Sequence, residues 1–521
     1  MIQLSVRQST AYKRLKLTLD YNLSFIAIFK KYKHKILQDV SCSTQHKLPM
    51  DQKTSIFLFQ NNLRLADNRA LQQALKNSDK LILLFVIDER LYQETPISEV
   101  RASHKRLKFL GQTLSQLEDK IVKKRGSLLI KRGHLVDTVL TTVKEENCNA
   151  MYAAAMPGTE EASDLYKIEE DLAKEGITLH LTQETTLFHP EDIPWPIAKL
   201  PAVFTQFRKE NEKQTAIREL VPEPEDLKKA FVPKEINNQE LINSLLNLEL
   251  PNALLFHGGE EEANKRLHYY LWETDLVRQY KETRNGLLGK DFSSKLSPYL
   301  ALGCISPRTI YFELKAYEKE RGSNQSTYWL YFELMWRDYF HFILKKHGSQ
   351  LFSEQGIKEE AYEWSYDMEA FQRWMNGTTG IPFIDANMRE LAATGYMSNR
   401  GRQLVASFLT HDLNIDWRRG AWYFEQQLLD YDVASNWGNW AYVAGVGNDP
   451  RKNRYFNILS QAKRYDAQGD YVRHWLPYLK EIEGFNVHKI PLIEAEMVSN
   501  ALDEQHKYYL SPMVDMKKWD H

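Results

Sequence analysis

The sequence predicts an α/β domain with a doubly wound parallel sheet, followed by a long linker and an all-α domain. Between residues 55 and 182, short apolar runs alternate with longer segments whose apolar residues recur every three or four positions. Residues 183–256 are rich in proline and lack the alternation of strands. After Gly258 and Gly259 the pattern is almost wholly helical to about Lys480, which predicts the all-α domain.

Five apolar runs are the predicted strands, and the helical segments between them favour a parallel sheet. The strands are predicted at residues 55–60, 81–86, 127–131, 149–154 and 177–181, with helices such as 101–124 and 160–174 between them. The turn after the first strand contains no glycine, so the G-x-G-x-x-G loop that holds a nucleotide in many such sheets is missing. Any cofactor must therefore be held in another way.

These patterns divide the chain into five predicted parts. They are an N-terminal extension at 1–50, the α/β domain at 51–182, the linker at 183–256, the helical domain at 257–482 and a short, partly ordered tail at 483–521. The extension has nine Lys or Arg residues and only Asp20 and Asp39 as acids, which is compatible with a chloroplast or mitochondrial transit peptide. The alternative, which we prefer, is an upstream gene start before Met50 and a cytoplasmic protein.

Composition excludes several classes of protein. With 43% apolar and 26% charged residues among 521, the chain is an ordinary globular protein and not a disordered, collagenous or disulfide-rich one. Its three cysteines are far apart, so no disulfide framework, metal site or four-thiolate cluster is expected. No apolar run approaches the roughly 18 residues of a membrane helix. A net charge of -1 argues against a polycationic nucleic-acid coat but allows a local basic groove.

Residues 293–298 are the first candidate binding segment. Ser297 suits the N-cap of a helix and Pro298 its first position. Ser293, Ser294 and Lys295 just before that helix would suit a phosphate. The alternative is a well-capped helix that binds nothing, which is the commoner case. Signatures of proteases, lipases and P-loop proteins are absent from the sequence.

Two further segments carry candidate chemistry. Between residues 395 and 440, polar side chains lie among apolar and aromatic neighbours, so Arg402 could pair with Asp430, or the set could be a purely structural ion-pair network. Trp364, Trp417 and Trp440 would each ordinarily fill a helical core. The cations of residues 451–464, interleaved with two aromatic rings, suit a nucleic-acid strand, or else form a solvated face.

Taken together, these features resemble the photolyase and cryptochrome family from about residue 54 to 480, and the DASH branch in particular. The matching strings are residues 62–68, 293–300, 333–340, 395–403, 416–418 and 430–440, and residues 205–209 point to the DASH branch. The resemblance implies a folded-back FAD in the helical domain. The residues it assigns to FAD are Tyr280, Ser293, Ser294, Lys295, Leu296, Ser297, Glu333, Arg337, Asn399, Arg402, Asp430, Asp432 and Asn436.

Within that set, the resemblance implies particular roles. Arg402 and Asp430 match a salt bridge beside the isoalloxazine ring, and Asn436 matches the residue facing flavin N5. An asparagine there can hydrogen-bond N5 without supplying a carboxylic proton, which favours the anionic reduced flavin. Trp440, Trp417 and Trp364 match the family's electron-transfer chain from flavin to surface.

The resemblance also implies a substrate, a cyclobutane pyrimidine dimer in DNA. Glu333 and Trp336 match residues that contact the flipped dimer, and Tyr442 stands where DNA photolyases have a second stacking tryptophan. A weaker stacking ring predicts a preference for single-stranded DNA. The other expected DNA contacts are Arg284, Arg451, Lys452 and Arg454.

An antenna and a rival function complete the expectations. The resemblance suggests methenyltetrahydrofolate between the domains, near Glu160 or Glu161 and near Phe204 to Lys209. The leading hypothesis is a monomeric, light-driven DNA lyase. The rival is a blue-light receptor that signals through flavin reduction, with an unidentified protein as its partner.

Overall fold

The computed structural model describes residues 53–232, 237–358, 362–451, 454–493 and 502–520. The predicted extension at 1–50, with its interpretations as a transit peptide or an upstream start, lies outside the described residues. Within the described ranges, no helix is both long and apolar enough to cross a membrane. The same ranges hold no cluster of three or more His, Cys, Asp or Glu side chains arranged for a metal ion.

A five-stranded sheet forms the centre of the N-terminal domain, with strand order β3-β2-β1-β4-β5. The strands are β1 (Thr54–Phe59), β2 (Lys80–Asp88), β3 (Leu128–Gly133), β4 (Ala150–Ala154) and β5 (Thr178–Thr182). All pairings are parallel, and each strand overlaps its predicted range. The predicted α/β fold is confirmed. Both faces of the central strands are covered, which explains why their sequences are almost continuously apolar.

Helices lie on both faces of this sheet. They are α1 (Arg69–Asn77), α2 (His104–Lys123), α3 (Leu135–Glu145) and α4 (Thr159–Lys174). Apolar residues of α1 and α2 pack with Phe57 on one face, and those of α3 and α4 pack with Ile56 on the other. Alternate residues of β1 therefore enter two separate cores, as the two-residue period of a strand requires.

The turn between β1 and α1 joins the two domains through buried polar contacts. The Asp67 carboxylate accepts a hydrogen bond from Ser306 Oγ at 2.6 Å and lies 2.8 Å from Arg308 Nη2, with both charged side chains almost fully buried. Arg64 Nη1 donates to the Gly303 carbonyl oxygen at 3.0 Å. Polar groups of this turn thus bind the helical domain. The turn therefore serves as a contact between the domains and not as a glycine loop for a nucleotide.

The predicted linker contains helices and packs on both domains. Its helices are α5 (Phe204–Gln214) and α6 (Asn238–Leu246). Leu245 of α6 packs against Gly111 of α2, and the Phe231 amide donates to the Leu81 carbonyl oxygen at the start of β2. Periodicity did not reveal these helices because both are short and proline-rich segments surround them.

The C-terminal half is all-α, as predicted. Its helices are α7 (Glu260–His268), α8 (Tyr280–Thr283), α9 (Ser297–Ala301), α10 (Pro307–Arg321), α11 (Gln325–His347), α12 (Met368–Met375), α13 (Pro382–Thr394), α14 (Asn399–Ser407), α15 (Trp417–Gln427), α16 (Val433–Val443), α17 (Ile458–Tyr465) and α18 (Asp470–Trp475). The central helix α11 begins with a capping box, in which Asn324 and Thr327 exchange side-chain and backbone hydrogen bonds.

The segment after residue 482 differs from the partly ordered tail that the sequence predicts. Its described residues form short 3-10 turns, and Tyr509, Met516 and Trp519 are fully buried in the core of the helical domain. Lys518 Nζ also lies 2.5 Å from the Asp412 carboxylate. The segment was hard to predict because its apolar residues are scattered without a helical or strand period.

Candidate functional site

A cavity of about 290 Å³ lies among α11, α14 and α16 of the helical domain. Every residue that the resemblance assigns to the cofactor lines it, namely Tyr280, Ser293, Ser294, Lys295, Leu296, Ser297, Glu333, Arg337, Asn399, Arg402, Asp430, Asp432 and Asn436. Residues that are up to 156 positions apart in sequence thus meet at one site. Such convergence of polar groups in an enclosed space is typical of a ligand site.

Helix α11 supplies one wall of the cavity. Glu333 and Arg337 are four residues apart, so they lie on the same face of the helix. The Glu333 carboxylate forms an ion pair with Arg284. Burial raises the pKa of Glu333, while the charge of Arg284 opposes that shift. Glu333 is therefore a half-buried carboxyl group with a cationic partner, next to the cavity.

Asp432 is held by three separate contacts where α16 begins. Its Oδ1 accepts from the Ser435 amide at 2.7 Å as the N-cap of the helix. His341 Nε2 lies 2.9 Å from Oδ2, and Arg337 Nη2 lies 3.5 Å from the same oxygen. Burial acts to raise the pKa of Asp432, but the histidine and arginine outweigh it and hold that pKa well below its ordinary value. Asp432 is thus a fixed carboxylate at the cavity wall.

The pairing of Arg402 with Asp430 expected from sequence is present. Arg402 Nη2 lies 3.0 and 2.8 Å from the two carboxylate oxygens of Asp430. Ser398 starts α14 by accepting from the Gly401 amide at 3.0 Å, which directs Asn399 and Arg402 of the first turn to the cavity. A buried pair of this kind needs good geometry to offset the loss of water.

Asn436 and Trp440 lie one turn apart on α16, and both line the cavity. The Asn436 Nδ2 donates to the Ala421 carbonyl oxygen at 3.0 Å. This bond orients the amide, so that Oδ1 is available to a ligand. Trp440 is 3% exposed, and its ring contacts Phe424 at 5.0 Å and Trp374 at 6.1 Å between centroids.

The segment before α9 forms a cationic end of the cavity, but not as predicted. The N-cap of α9 is Leu296, and Ser297 is the first residue of the helix. No side chain forms a capping hydrogen bond there. The helix has only five residues, so its dipole contributes little. The ammonium of Lys295 lies 3.5 and 4.1 Å from the ring centroids of Phe292 and Tyr396. Burial lowers its pKa to about 7, as expected for a cation awaiting an anionic partner.

Two other members of the predicted tryptophan set lie away from the cavity wall. Trp417 is fully buried, donates from Nε1 to the Glu354 carbonyl oxygen at 3.1 Å, and contacts the Trp437 ring at 5.6 Å. Trp364 is 8% exposed and stacks on Tyr362 at 5.5 Å. Only Trp440 of the three thus borders the cavity directly.

The aromatic residues predicted for substrate lie beside the cavity rather than on its wall. Trp336 and Tyr442 meet edge to face with ring centroids 5.9 Å apart. The Arg454 guanidinium lies 4.6 Å from the centre of the Tyr442 ring. Two rings at an angle beside a polar cavity could accept a flat, apolar ligand face.

The cations predicted to contact DNA have an acidic partner that sequence analysis missed. Asp449 is buried, and its carboxylate lies 3.2 Å from Arg451 Nε and 3.0 Å from Arg454 Nη1. The Arg451 side chain remains 61% exposed, whereas that of Arg454 is 19% exposed. Lys452 lies outside the described residues. Asp449 directly precedes the basic run, and this position was the available signal.

A second cavity, of about 210 Å³, lies between the two domains. Glu160 and Glu161 line it, and Arg101 Nη2 contacts Glu160 at 2.6 Å. Burial raises the pKa of Glu161 to about 7. The structure does not bring the four predicted antenna residues together. Phe204, on α5, packs on Trp336 in a different core cluster, and Lys209 is an exposed residue of α5.

Comparisons with known proteins show which family the sequence and the fold are similar to. A family model for the FAD binding domain of DNA photolyase matches residues 329–521, and one for DNA photolyase matches residues 55–225. Cryptochrome DASH of Danio rerio is 43% identical over 474 residues, which are 90% of this chain and 91% of that protein. "Cryptochrome DASH, chloroplastic/mitochondrial" of Solanum lycopersicum is 42% identical over 450 residues, 82% of this chain and 78% of that protein. The crystal structure of Synechocystis sp. PCC6803 cryptochrome superposes with a TM-score of 0.82 and 39% identity, covering 91% of this chain and 100% of that one.

Proposed function

The chain belongs to the DNA photolyase and cryptochrome family, and from that premise we propose a light-driven flavoenzyme of the DASH type that splits cyclobutane pyrimidine dimers, preferentially in single-stranded DNA. The observation that carries the proposal is the convergence of the expected cofactor residues on one cavity of the helical domain. The enzyme acts as a monomer in the cytoplasm. The organellar alternative has the name of the Solanum lycopersicum relative in its favour.

The donors of the cavity fit FAD. At one end, Lys295 with Ser293 and Ser294 would hold the diphosphate, and a bound phosphate would supply the anion that this buried ammonium lacks. At the other end, Asp432 and Asn436 would hold the polar edge of the flavin. When bound and reduced, FAD would supply light-driven one-electron chemistry for opening the dimer, with no net redox change.

Glu333, Trp336 and Tyr442 would act on the dimer itself. Burial raises the pKa of Glu333 and the charge of Arg284 opposes that shift; when protonated, the carboxyl group could donate a hydrogen bond to a pyrimidine carbonyl as negative charge develops there. Trp336 and Tyr442 would stack on the flipped bases. Arg284, which pairs with Glu333, would lie close enough to the dimer to contact a phosphate of its strand.

The decisive experiment illuminates the reduced protein with dimer-containing oligonucleotides, single-stranded and duplex side by side. Base stacking on an aromatic ring is worth roughly 1–3 kcal/mol, and flipping a dimer from a duplex costs a few kcal/mol, so a tyrosine in place of tryptophan can decide the outcome. We expect faster repair of single strands, and a smaller gap for Tyr442→Trp. Tyr442→Phe is the control, because it keeps the ring size. If the dimer is repaired in neither the single-stranded nor the duplex oligonucleotide, the proposed repair activity is refuted.

Arg451 provides a further check on the DNA face. Its side chain is the exposed one of the two arginines paired with Asp449. Arg454, the other of these two expected phosphate contacts, has its guanidinium over the Tyr442 ring. Arg451→Ala should weaken binding of single-stranded and duplex DNA equally, and should reduce the slope of log K against log salt by about 1.

Asn436 is proposed to control the protonation of the reduced flavin. Asn436→Asp places an ionisable group where the amide is now held by the Ala421 carbonyl. We expect a different reduced flavin species to accumulate under light, visible in absorbance spectra during illumination, because a carboxyl group can supply a proton near N5. Asn436→Gln, which has no proton of that kind to give, is the matched control. Identical spectra for all three proteins would contradict the placement of Asn436.

A blue-light receptor is the second candidate function. The pairing of Arg451 and Arg454 with Asp449 favours it, since cations already neutralised by a buried carboxylate contribute less to DNA binding. A receptor would show light-driven flavin reduction without dimer repair, so the illumination experiment separates the two candidates.

For the antenna, we propose methenyltetrahydrofolate in the second cavity, with Glu160 and Glu161 as contacts. A neutral Glu161 could both donate and accept hydrogen bonds with a pterin ring. Phe204 and Lys209 are not retained as antenna residues.

A further inference from the structure

The start of helix α5 is tied to the side of the helical domain that carries the proposed substrate rings. Tyr339 Oη donates to the Ala202 carbonyl oxygen at 2.6 Å, and Asn448 Nδ2 donates to the same oxygen at 3.3 Å. Tyr339 belongs to α11, while Asn448 precedes the buried Asp449. Two separate elements thus fix the backbone just ahead of Phe204.

Phe204 covers one face of the Trp336 ring. The ring centroids are 3.7 Å apart and the planes are inclined by only 13°, a closer and more parallel contact than aromatic pairs usually make. Phe204 is 6% exposed, and the edge of its ring is packed by Phe332 at 5.3 Å and Tyr339 at 5.6 Å. Trp336 itself is half-buried. Its ring also contacts Phe340 at 5.6 Å, Tyr339 at 5.8 Å and Tyr442 at 5.9 Å between centroids, so Phe204 is the nearest and most parallel of the four rings packed on the indole.

We propose that Phe204 is a positioning residue for Trp336, which keeps the indole in the one rotamer that can stack on a flipped pyrimidine dimer. This inference rests on the proposed function. Loss of the nearest and most parallel of its ring contacts would let the partly exposed indole sample other rotamers, and ordering it on binding would cost affinity. Phe204 does not touch the substrate, since the indole lies between them. It belongs to a linker helix, so the linker contributes to substrate selection.

The competing explanation is that Phe204 only fills the core. Phe342 offers a matched control, because it belongs to the same cluster, is 2% exposed, and contacts Phe207 at 5.9 Å. Phe342→Leu and Phe204→Leu each remove one phenyl ring from the same core cluster. A purely structural role would therefore give both variants the same phenotype.

The first measurement is binding in the dark of a dimer-containing single strand and of its undamaged counterpart. We expect Phe204→Leu to lower the preference for the dimer by roughly threefold to tenfold, with unchanged affinity for undamaged DNA, because phosphate contacts are untouched. Phe204→Tyr should restore the preference, and Phe342→Leu should keep it. Equal preferences in Phe204→Leu and Phe342→Leu, whether kept or lost, would overturn the proposal.

The second measurement does not depend on repair. In protein labelled with 5-fluorotryptophan, the Trp336 resonance is assigned by its loss in Trp336→Phe. Phe204→Leu should shift or broaden that resonance, and Phe342→Leu should leave it in place. An unmoved Trp336 resonance in Phe204→Leu would overturn the positioning role even if the enzyme repairs DNA. A moved resonance in a protein that ignores dimers would instead fault the proposed function.

Discussion

Trp440→Phe is expected to slow light-driven reduction of the bound flavin by at least about tenfold, which corresponds to 1.4 kcal/mol in the barrier. Trp440 is the member of the predicted tryptophan set that borders the cavity, and it is buried away from solvent. A phenylalanine ring is much harder to oxidise than an indole, so the first transfer from protein to cofactor would fail. FAD content should not change, because the substitution keeps the apolar packing against Phe424.

The measurement is the decay of oxidised flavin absorbance under blue light with an external reductant. Trp475→Phe, on helix α18, serves as the control because it removes an indole that does not line the cavity. If the flavin of the Trp440→Phe variant is photoreduced as fast as that of the unmodified protein, Trp440 is not the electron donor.

Removing the charge of Asp67 should lower the free energy of unfolding by about 3–5 kcal/mol, the usual cost of leaving a buried partner charge uncompensated. The partner is Arg308, whose side chain is 4% exposed. We choose Asp67→Asn because Asp67 has a φ of 48°, and asparagine tolerates this left-handed backbone well. The amide would then turn an N–H donor toward Ser306 or Arg308, which are donors themselves.

Urea unfolding followed by circular dichroism gives the comparison. Asp171→Asn breaks an exposed pair with Lys174 and should leave the unfolding midpoint unchanged. A midpoint for Asp67→Asn that matches this control would show that the domain contact does not depend on the buried ion pair.

Periodicity predicted the sheet well and the site less completely. The strands of the first domain were readable because two-faced burial makes their sequences continuously apolar. The cavity, in contrast, depends on contacts such as Arg402 with Asp430; the sequence suggested that pair but left a purely structural network equally open, and only the family resemblance assigned the two residues to a cofactor site. Local periodicity carries no information about which residues far apart in sequence contact one another.

The errors have physical causes as well. Ser297 was expected to cap a helix, but the helix begins one residue earlier than that assignment allows. The stretch from Asp449 to Arg464 was interpreted through its cations alone, and the pairing of Asp449 with Arg451 and Arg454 was not predicted. Phe204 was assigned to the antenna from a short string, whereas its ring packs on Trp336.

The polar contact between the domains bears on how light energy would be used. Apolar surfaces can slide over one another, but the bonds of Asp67 and Arg64 with the helical domain have fixed directions. Resonance transfer between two pigments depends on the mutual orientation of their transition dipoles as well as on distance. A pigment in the second cavity would thus keep a fixed orientation relative to the flavin. The efficiency of energy transfer between them would then be determined by the folded structure and not by motion of the domains.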